Sequence, residues 1–180
     1  MKLDFRQVEQ TDLALLRDWR NQDRLRMLFR EYRLLNMLNQ MQWFEHISTS
    51  KLDDMFMVLV DGEPVGVCGL THLNWKDRSA EISYYLGRNS DAVADVSLGI
   101  AVYDFLKEKC FSEYNLNRLW GEAWSFNQGG IMLALQCGFK HEGALRQTVF
   151  WDGKYWDSVI VSILAEEYYL NKPEVQNSKK

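Results

Sequence analysis

Proline, cysteine and histidine are scarce in this chain, and each scarcity narrows what it can be. Two prolines (Pro64 and Pro173) in 180 residues leave no Pro-rich linker to divide it. With 47% apolar residues, the length suits one domain around a full core, expected over residues 1–170 with a polar tail at 171–180. Cys68, Cys110 and Cys137 are odd in number, sit in apolar stretches and lack ligand spacing, so they read as buried thiols rather than disulfides, metal ligands or nucleophiles. His46, His72 and His141 show neither triad nor metal spacing. No apolar run reaches the ~20 residues of a membrane span, and "MKLDFRQVEQ" has no apolar stretch that would act as a secretion signal. A cytoplasmic protein with no membrane partner is expected. Positive charge is also short: 21 Lys and Arg against 25 Asp and Glu give a net charge of −4, which speaks against a nucleic-acid partner.

What the chain does carry is a change of period. "TDLALLRDWRNQ" opens a helix, capped by Thr11 or Asp12, with Leu13, Leu16 and Trp19 on one face. "LLNMLNQMQWFEHIS" repeats that spacing, while the arginine-rich "RLRMLFREYR" between them has no clear period. From Met55 the period becomes two, and "MFMVLV" and "PVGVCGLTHL" flank Asp61-Gly62, a strong hairpin signal. "AEISYYLG" is the next strand, "VSLGIAVYDFLKEKCF" an amphipathic helix, "RLWGEAWSF" a strand and "GGIMLALQCG" a short helix. "RQTVFW" and "YWDSVIVSIL" form a hairpin over Asp152-Gly153. With a first strand at "LDFRQV", the order predicts an α/β fold with an α+β mixed sheet. It has about seven mostly antiparallel strands, a central parallel pair joined by a right-handed crossover, and helices on both faces.

Three stretches carry more than a fold: "LRDWRN" in the first helix, "AEISYYLGRN" in the fourth strand, and "NQGGIMLALQCGFKHEGALRQTVFWDGKYWDSVIVSIL" at the close. Over nearly all of residues 3 to 169 the chain resembles the GNAT N-acetyltransferase superfamily, in the branch of ribosomal-protein and nucleotide-amino-sugar acetyltransferases. The resemblance implies the GNAT fold, in which the central parallel pair splays apart. It also implies acetyl-CoA as co-substrate, no metal, and a monomer or homodimer. The implied acceptor is a small-molecule amine or nucleotide amino sugar, with a protein N-terminus as the alternative. A degenerate member that binds an acyl-CoA without turnover is the reading from another class.

Coenzyme residues carry over by position. The backbone of Tyr85, Leu86 and Gly87 would polarise the thioester and line pantetheine, and Asn127 would contact the coenzyme from the other side while capping the short helix. The family's pyrophosphate loop maps onto Ala94, Ser97 and Gly99, of which only Gly99 keeps the motif residue. The amides of Ser97, Leu98 and Gly99 at the start of the long helix would then grip the phosphates. Asp91 and Asp95 in the loop oppose that.

Acyl transfer to an amine also needs a neutral nitrogen and a proton for the departing thiolate. Deprotonating an amine of pKa ~10.4 at pH 7 costs about 4–5 kcal/mol, against about 1 kcal/mol for an α-amino group, so a base matters most for the first kind. Glu122, between Trp120 and Trp124, and Glu81 in "SAEISYY" are the two candidates. Their structural alternatives are ion pairs to Arg118 and Arg78. The family's proton-donating tyrosine is replaced by Ala134, leaving Tyr84, Tyr85 and Tyr155 as substitutes. Arg17, Arg20, Arg24, Arg26, Arg30 and Arg33 cluster in a way that suits an anionic acceptor or a solvated, ion-paired face. Arg30, Glu31, Tyr32 and Arg33 are the acceptor-site candidates, with Tyr155 beside the last turn.

Overall fold

The computed structural model describes residues 2–88 and 92–171. Strand β1 (Leu3–Gln7) leads through a 3-10 turn into helices α1 (Leu13–Arg20), α2 (Asp23–Arg26) and α3 (Met37–Thr49). An antiparallel run follows, β2 (Asp54–Val60), β3 (Glu63–Asn74) and β4 (Ser79–Leu86), then helix α4 (Ala92–Lys107), which ends in a π-helical turn. Strand β5 (Arg118–Trp124), helix α5 (Gln128–Gln136), the hairpin β6 (Lys140–Trp151) and β7 (Lys154–Leu164), and helix α6 (Ala165–Leu170) complete the order. The strands form one sheet in the order β1-β2-β3-β4-β5-β7-β6, with β4 and β5 its parallel pair. The mixed seven-stranded sheet with helices is therefore the one expected.

Both hairpins turn where Asp-Gly predicts. Asp61 and Asp152 have φ of 52° and 50°, and Gly62 and Gly153 have φ of 87° and 75°. Two consecutive left-handed residues match the right-handed twist of the flanking strands.

Alternation along the central strands feeds two cores. Cys68 and Leu70 enter a cluster with Val102, Leu106, Phe111 and Leu119, and α4 and α5 cover that face. Their neighbour Val67 enters the other cluster with Leu16, Trp19, Leu25 and Met57, under α1–α3. Each such fully buried side chain contributes about 1.5–3 kcal/mol relative to exposure. Sheet burial on both faces is why "MFMVLV" reads as an unbroken apolar run.

Three local expectations are corrected. The long helix begins at Ala92, several residues before "VSLG". The strand expected as "RQTVFW" extends back to Lys140, with its register shifting between Leu145 and Val149 around a left-handed Gln147. Helices α2 and α6 were not foreseen; each is short and takes its conformation from the surfaces it packs on. Of the expected tail, 172–180 lie outside the described residues, as do 89–91 of the loop before α4.

Candidate active site

The sheet opens between its parallel strands. β4 and β5 pair only at Ser79 with Arg118, Ala80 with Leu119 and Glu81 with Trp120. Beyond that fork, 82–86 of β4 and 121–124 of β5 run without pairing to each other. Gly121 sits at the divergence, where an added Cβ would lie 2.9 Å from Ile82 Cγ2. A cleft of about 1030 Å³ passes through the opening, lined by Glu81, Tyr84, Tyr85, Glu122 and Asn127 among others.

On the α1–α3 face, the two candidate bases meet. Glu81 comes from the last paired position of β4 and Glu122 from the freed part of β5, with side chains only 9% and 13% exposed. Arg30 holds both. Its Nη1 and Nη2 donate to Glu81 Oε2 and Oε1 at 3.1 and 2.7 Å, and its Nε donates to Glu122 Oε2 at 3.1 Å. Nη2 also donates to Glu122. A cation bonded to both offsets the cost of drawing two carboxylates this close and out of water. Hydrogen bonding to Glu81, and then to Glu122, outweighs burial and raises the guanidinium above its usual range. The expected ion-pair alternatives do not form: Arg118 pairs with Glu142, and Arg78 bonds Asn115.

The loop carrying Arg30 is tied back to α1. Asn21 accepts from the Leu35 amide at 2.7 Å and donates to its carbonyl at 2.8 Å. Arg20 lies 3.5 Å over the Phe29 ring and donates to the Glu31 carbonyl. Arg24 donates to the carbonyls of Leu86 and Gly87 at 3.3 and 2.7 Å, reaching the end of β4. Arg17 pairs with Asp18, Arg26 with Asp23, and Arg33 with Glu31, whose carboxyl is pushed down to about 2 by Arg33. All six guanidiniums of the arginine cluster thus have partners within the chain.

One group that sequence reading passed over belongs here. Thr71 pairs with Glu81 and Asn74 with Ser79, so His72 and Leu73 together oppose Ala80 in a β-bulge. His72 takes a left-handed φ of 52°, and its Nδ1 lies 2.9 Å from Glu81 Oε2. Nothing in the sequence marks that bulge, because it depends on pairing between strands.

Two expected acceptor residues stand apart. Tyr32 is exposed and outside the cleft lining, where Arg30, Glu31 and Arg33 do appear. Tyr155 is 63% exposed at the β6–β7 turn, against Phe150, and does not line the cleft. That placement removes it as a substitute proton donor, because the turn lies at the sheet's far edge.

On the α4–α5 face, Tyr84 packs edge-on to Tyr103, which packs in turn on Phe139. Burial, with smaller contributions from Cys137 and Asp95, raises the Tyr84 phenol well above its usual value. Tyr85 points the other way, between Trp19 and Phe29, and burial raises it against the pull of Arg20. Asn127 caps α5, accepting from the Gly130 amide at 3.1 Å, and also lines the cleft.

The expected phosphate grip at Ser97, Leu98 and Gly99 is corrected by the helix start. These residues lie inside α4, where their amides bond carbonyls four residues back. The amides without such partners belong to the first turn, beginning at Ala92. Leu98 is in the core, and Gly99 is small for packing, since a Cβ there would meet Leu133 Cδ2 at 2.6 Å. Gly87 likewise leaves room for the Trp19 ring.

All three cysteines are buried and free; burial pushes Cys110 up to about 12 and Cys137 up to about 11, so neither is a poised thiolate. Among the described residues, no cluster of three or more His, Cys, Asp or Glu could hold a metal ion. No helix among them is long and apolar enough to cross a membrane.

Known proteins resemble this arrangement. The chain is 28% identical over 132 residues, 72% of each chain, to the uncharacterized N-acetyltransferase p20 of Bacillus licheniformis. It is 31% identical over 106 residues to the uncharacterized N-acetyltransferase YoaA of Bacillus subtilis, covering 57% of this chain and 56% of that one. In fold it superposes on the spermidine N-acetyltransferase of Vibrio cholerae, crystallised with CoA and spermine, with a TM-score of 0.79 and 21% identity. That match covers 93% of this chain and 98% of the other. Residues 5–160 match the acetyltransferase (GNAT) domain. By that match and the splayed sheet, the chain belongs to the GNAT family and is an acetyl-CoA-dependent N-acetyltransferase.

Proposed function

We propose that the enzyme acetylates a primary amine on a small, positively charged acceptor, by direct attack of that amine on acetyl-CoA. The observation that carries this reading is the fork of Glu81 and Glu122 around Arg30. Two carboxylates against one guanidinium leave an excess of negative charge where the strands part, and a second cation fits it. An acceptor held as an ammonium there also gains most from a nearby base. The arginine cluster offers no comparable place for a phosphate, because its guanidiniums are engaged by the chain itself. A nucleotide-linked amino sugar is therefore the weaker reading, as is an α-amino terminus, which gains little from a base. Spermine in the similar Vibrio cholerae structure is a polyamine and agrees with the charge argument.

The donor runs along the freed edge of β4, its pantetheine adding to 82–86 in β fashion. The first-turn amides of α4 face the pyrophosphate, and Asn127 meets the coenzyme from α5. As the C–N bond forms and the C–S bond breaks, the thiolate takes a proton. Tyr84 supplies it, because burial keeps its phenol protonated; it enters from β4 the side of the cleft where α5 carries Ala134. The ordinary alternative is that Tyr84 only packs, and Tyr84→Phe separates the two.

The test is a mass-spectrometric panel with acetyl-CoA and four acceptor types: linear di- and polyamines, neutral amino sugars, a nucleotide amino sugar and N-terminal peptides. Acetylation of the polyamines is expected. Turnover confined to the nucleotide sugar or the peptides overturns the reading. A thermal-shift titration reads the donor separately, since acetyl-CoA at 100 Kd adds about 2.7 kcal/mol of stability.

A further inference from the structure

Glu81 and Glu122 are not equivalent. Among the described residues, Glu122 bonds only Arg30, whereas Glu81 bonds Arg30 and also lies against His72. A guanidinium takes up no proton, so Arg30 leads nowhere for one. His72 is different. Its side chain is 66% exposed, it lines the cleft, and among the described residues its Nε2 has no hydrogen-bond partner.

The backbone is arranged to put it there. Only the bulge across Ala80 brings residue 72 alongside Glu81, and it does so with a φ of 52° that costs about 1–3 kcal/mol in a residue with a Cβ. Without that extra residue the alternation along β3 would change at this point and the contact would be lost. Behind the pair stands Arg30, which shares Glu81 Oε2, and Thr71 Oγ1 lies 3.3 Å from Nδ1.

We propose that His72 is the general base of the transfer, with Glu81 as the carboxylate that fixes it; this rests on the acceptor binding at the fork as set out above. The Glu81 carboxylate, 2.9 Å from Nδ1, favours the proton on that nitrogen, where Thr71 Oγ1 is its hydrogen-bond partner at 3.3 Å, and this leaves the Nε2 lone pair for the cleft. Nε2 takes one proton from the acceptor ammonium, and the freed nitrogen attacks the acetyl carbonyl carbon. The C–S bond then breaks, the thiolate is protonated, and the amide nitrogen loses its second proton. The imidazolium, steadied by the Glu81 carboxylate, gives its Nε2 proton to water, which accounts for the one proton that amide formation from an ammonium releases. Glu122 keeps the cation in place and carries no proton.

Steady-state kinetics would use acetyl-CoA with spermidine, or with whichever panel amine turns over fastest. His72→Asn and His72→Gly both suit a left-handed φ, so the bulge survives. Each should lower kcat about 10²-fold with little change in amine KM, and added imidazole should restore part of the loss in His72→Gly. The double variant His72→Asn/Glu81→Gln should be no slower than the slower single one, since the two residues act as a unit. Full turnover in His72→Asn alongside loss in Glu81→Gln overturns the inference and leaves the proposed function standing, with the carboxylate as base. Additive losses with no imidazole response also overturn it, by reducing His72 to a structural role. If neither substitution slows acetylation, the amine does not react at the fork, and the proposed function falls with it.

Discussion

On the face that Tyr85 enters, charge is abundant and every guanidinium of the arginine cluster is spoken for, with the two carboxylates converging on Arg30. On the face that Tyr84 enters, the cleft is walled by aromatic and aliphatic groups, and the dominant effect is burial that keeps phenols protonated. The two tyrosines are neighbours on one strand, so the pleat alone assigns them to opposite environments. The difference teaches that, under the roles proposed above, the two proton movements of acyl transfer fall to opposite faces: removal where charge can be stabilised, and donation where a neutral acid cannot ionise.

That contrast can be broken first at its charged end. Glu81→Gln should lower kcat/KM by about 10²–10⁴-fold while acetyl-CoA still raises the melting temperature. Unchanged kinetics would remove the acceptor face from the chemistry. On the apolar face, Tyr84→Phe should lower kcat by about 10²-fold, whereas Tyr85→Phe should leave it within a factor of two. Equal effects from both would mean that these phenols only pack.

A structural test comes next. Gly87→Ala would place a Cβ 1.8 Å from Trp19 Cδ2, where the ring has no free space. Overpacking of this kind costs about 1–3 kcal/mol, read as a melting temperature lowered by several degrees.

The smallest effect lies outside both faces. The Glu142 carboxyl is held down to about 2 by Arg118, and to a lesser extent by Ser162. Its folded value lies below the ordinary carboxylate value, so its stabilisation is present above about pH 4.3 and is lost as pH falls towards 2. The pair is partly exposed, so Glu142→Gln should cost under about 1 kcal/mol at pH 7. The acid limb of stability should flatten, as followed by urea unfolding across pH.

Much of the fold was legible because it is written locally. Asp61-Gly62 and Asp152-Gly153 turned as expected, and the periods of α1, α3 and β2 to β5 placed those elements. Glu122 could be singled out as a carboxylate too costly to bury idly, and Glu81 by its place in the fourth strand of the family pattern. Arg30 was singled out for an anionic acceptor because its sequence neighbours are arginines, whereas its spatial neighbours are glutamates 51 and 92 residues away. His72 was passed over because its contact needs a bulge that exists only once β3 and β4 are in register. The start of α4 was misjudged because "DAVA" carries little amphipathic signal, and with it went the assignment of Ser97 to Gly99.

Arg24 sets a limit on redesign. By gripping two carbonyls at the tip of the fourth strand, it couples the region proposed to select the nucleophile to the strand along which the thioester is proposed to lie. Grafting this arginine-rich segment from another enzyme to change what is acylated will also alter how firmly the acyl carrier seats, so the two halves of the reaction cannot be exchanged as independent modules.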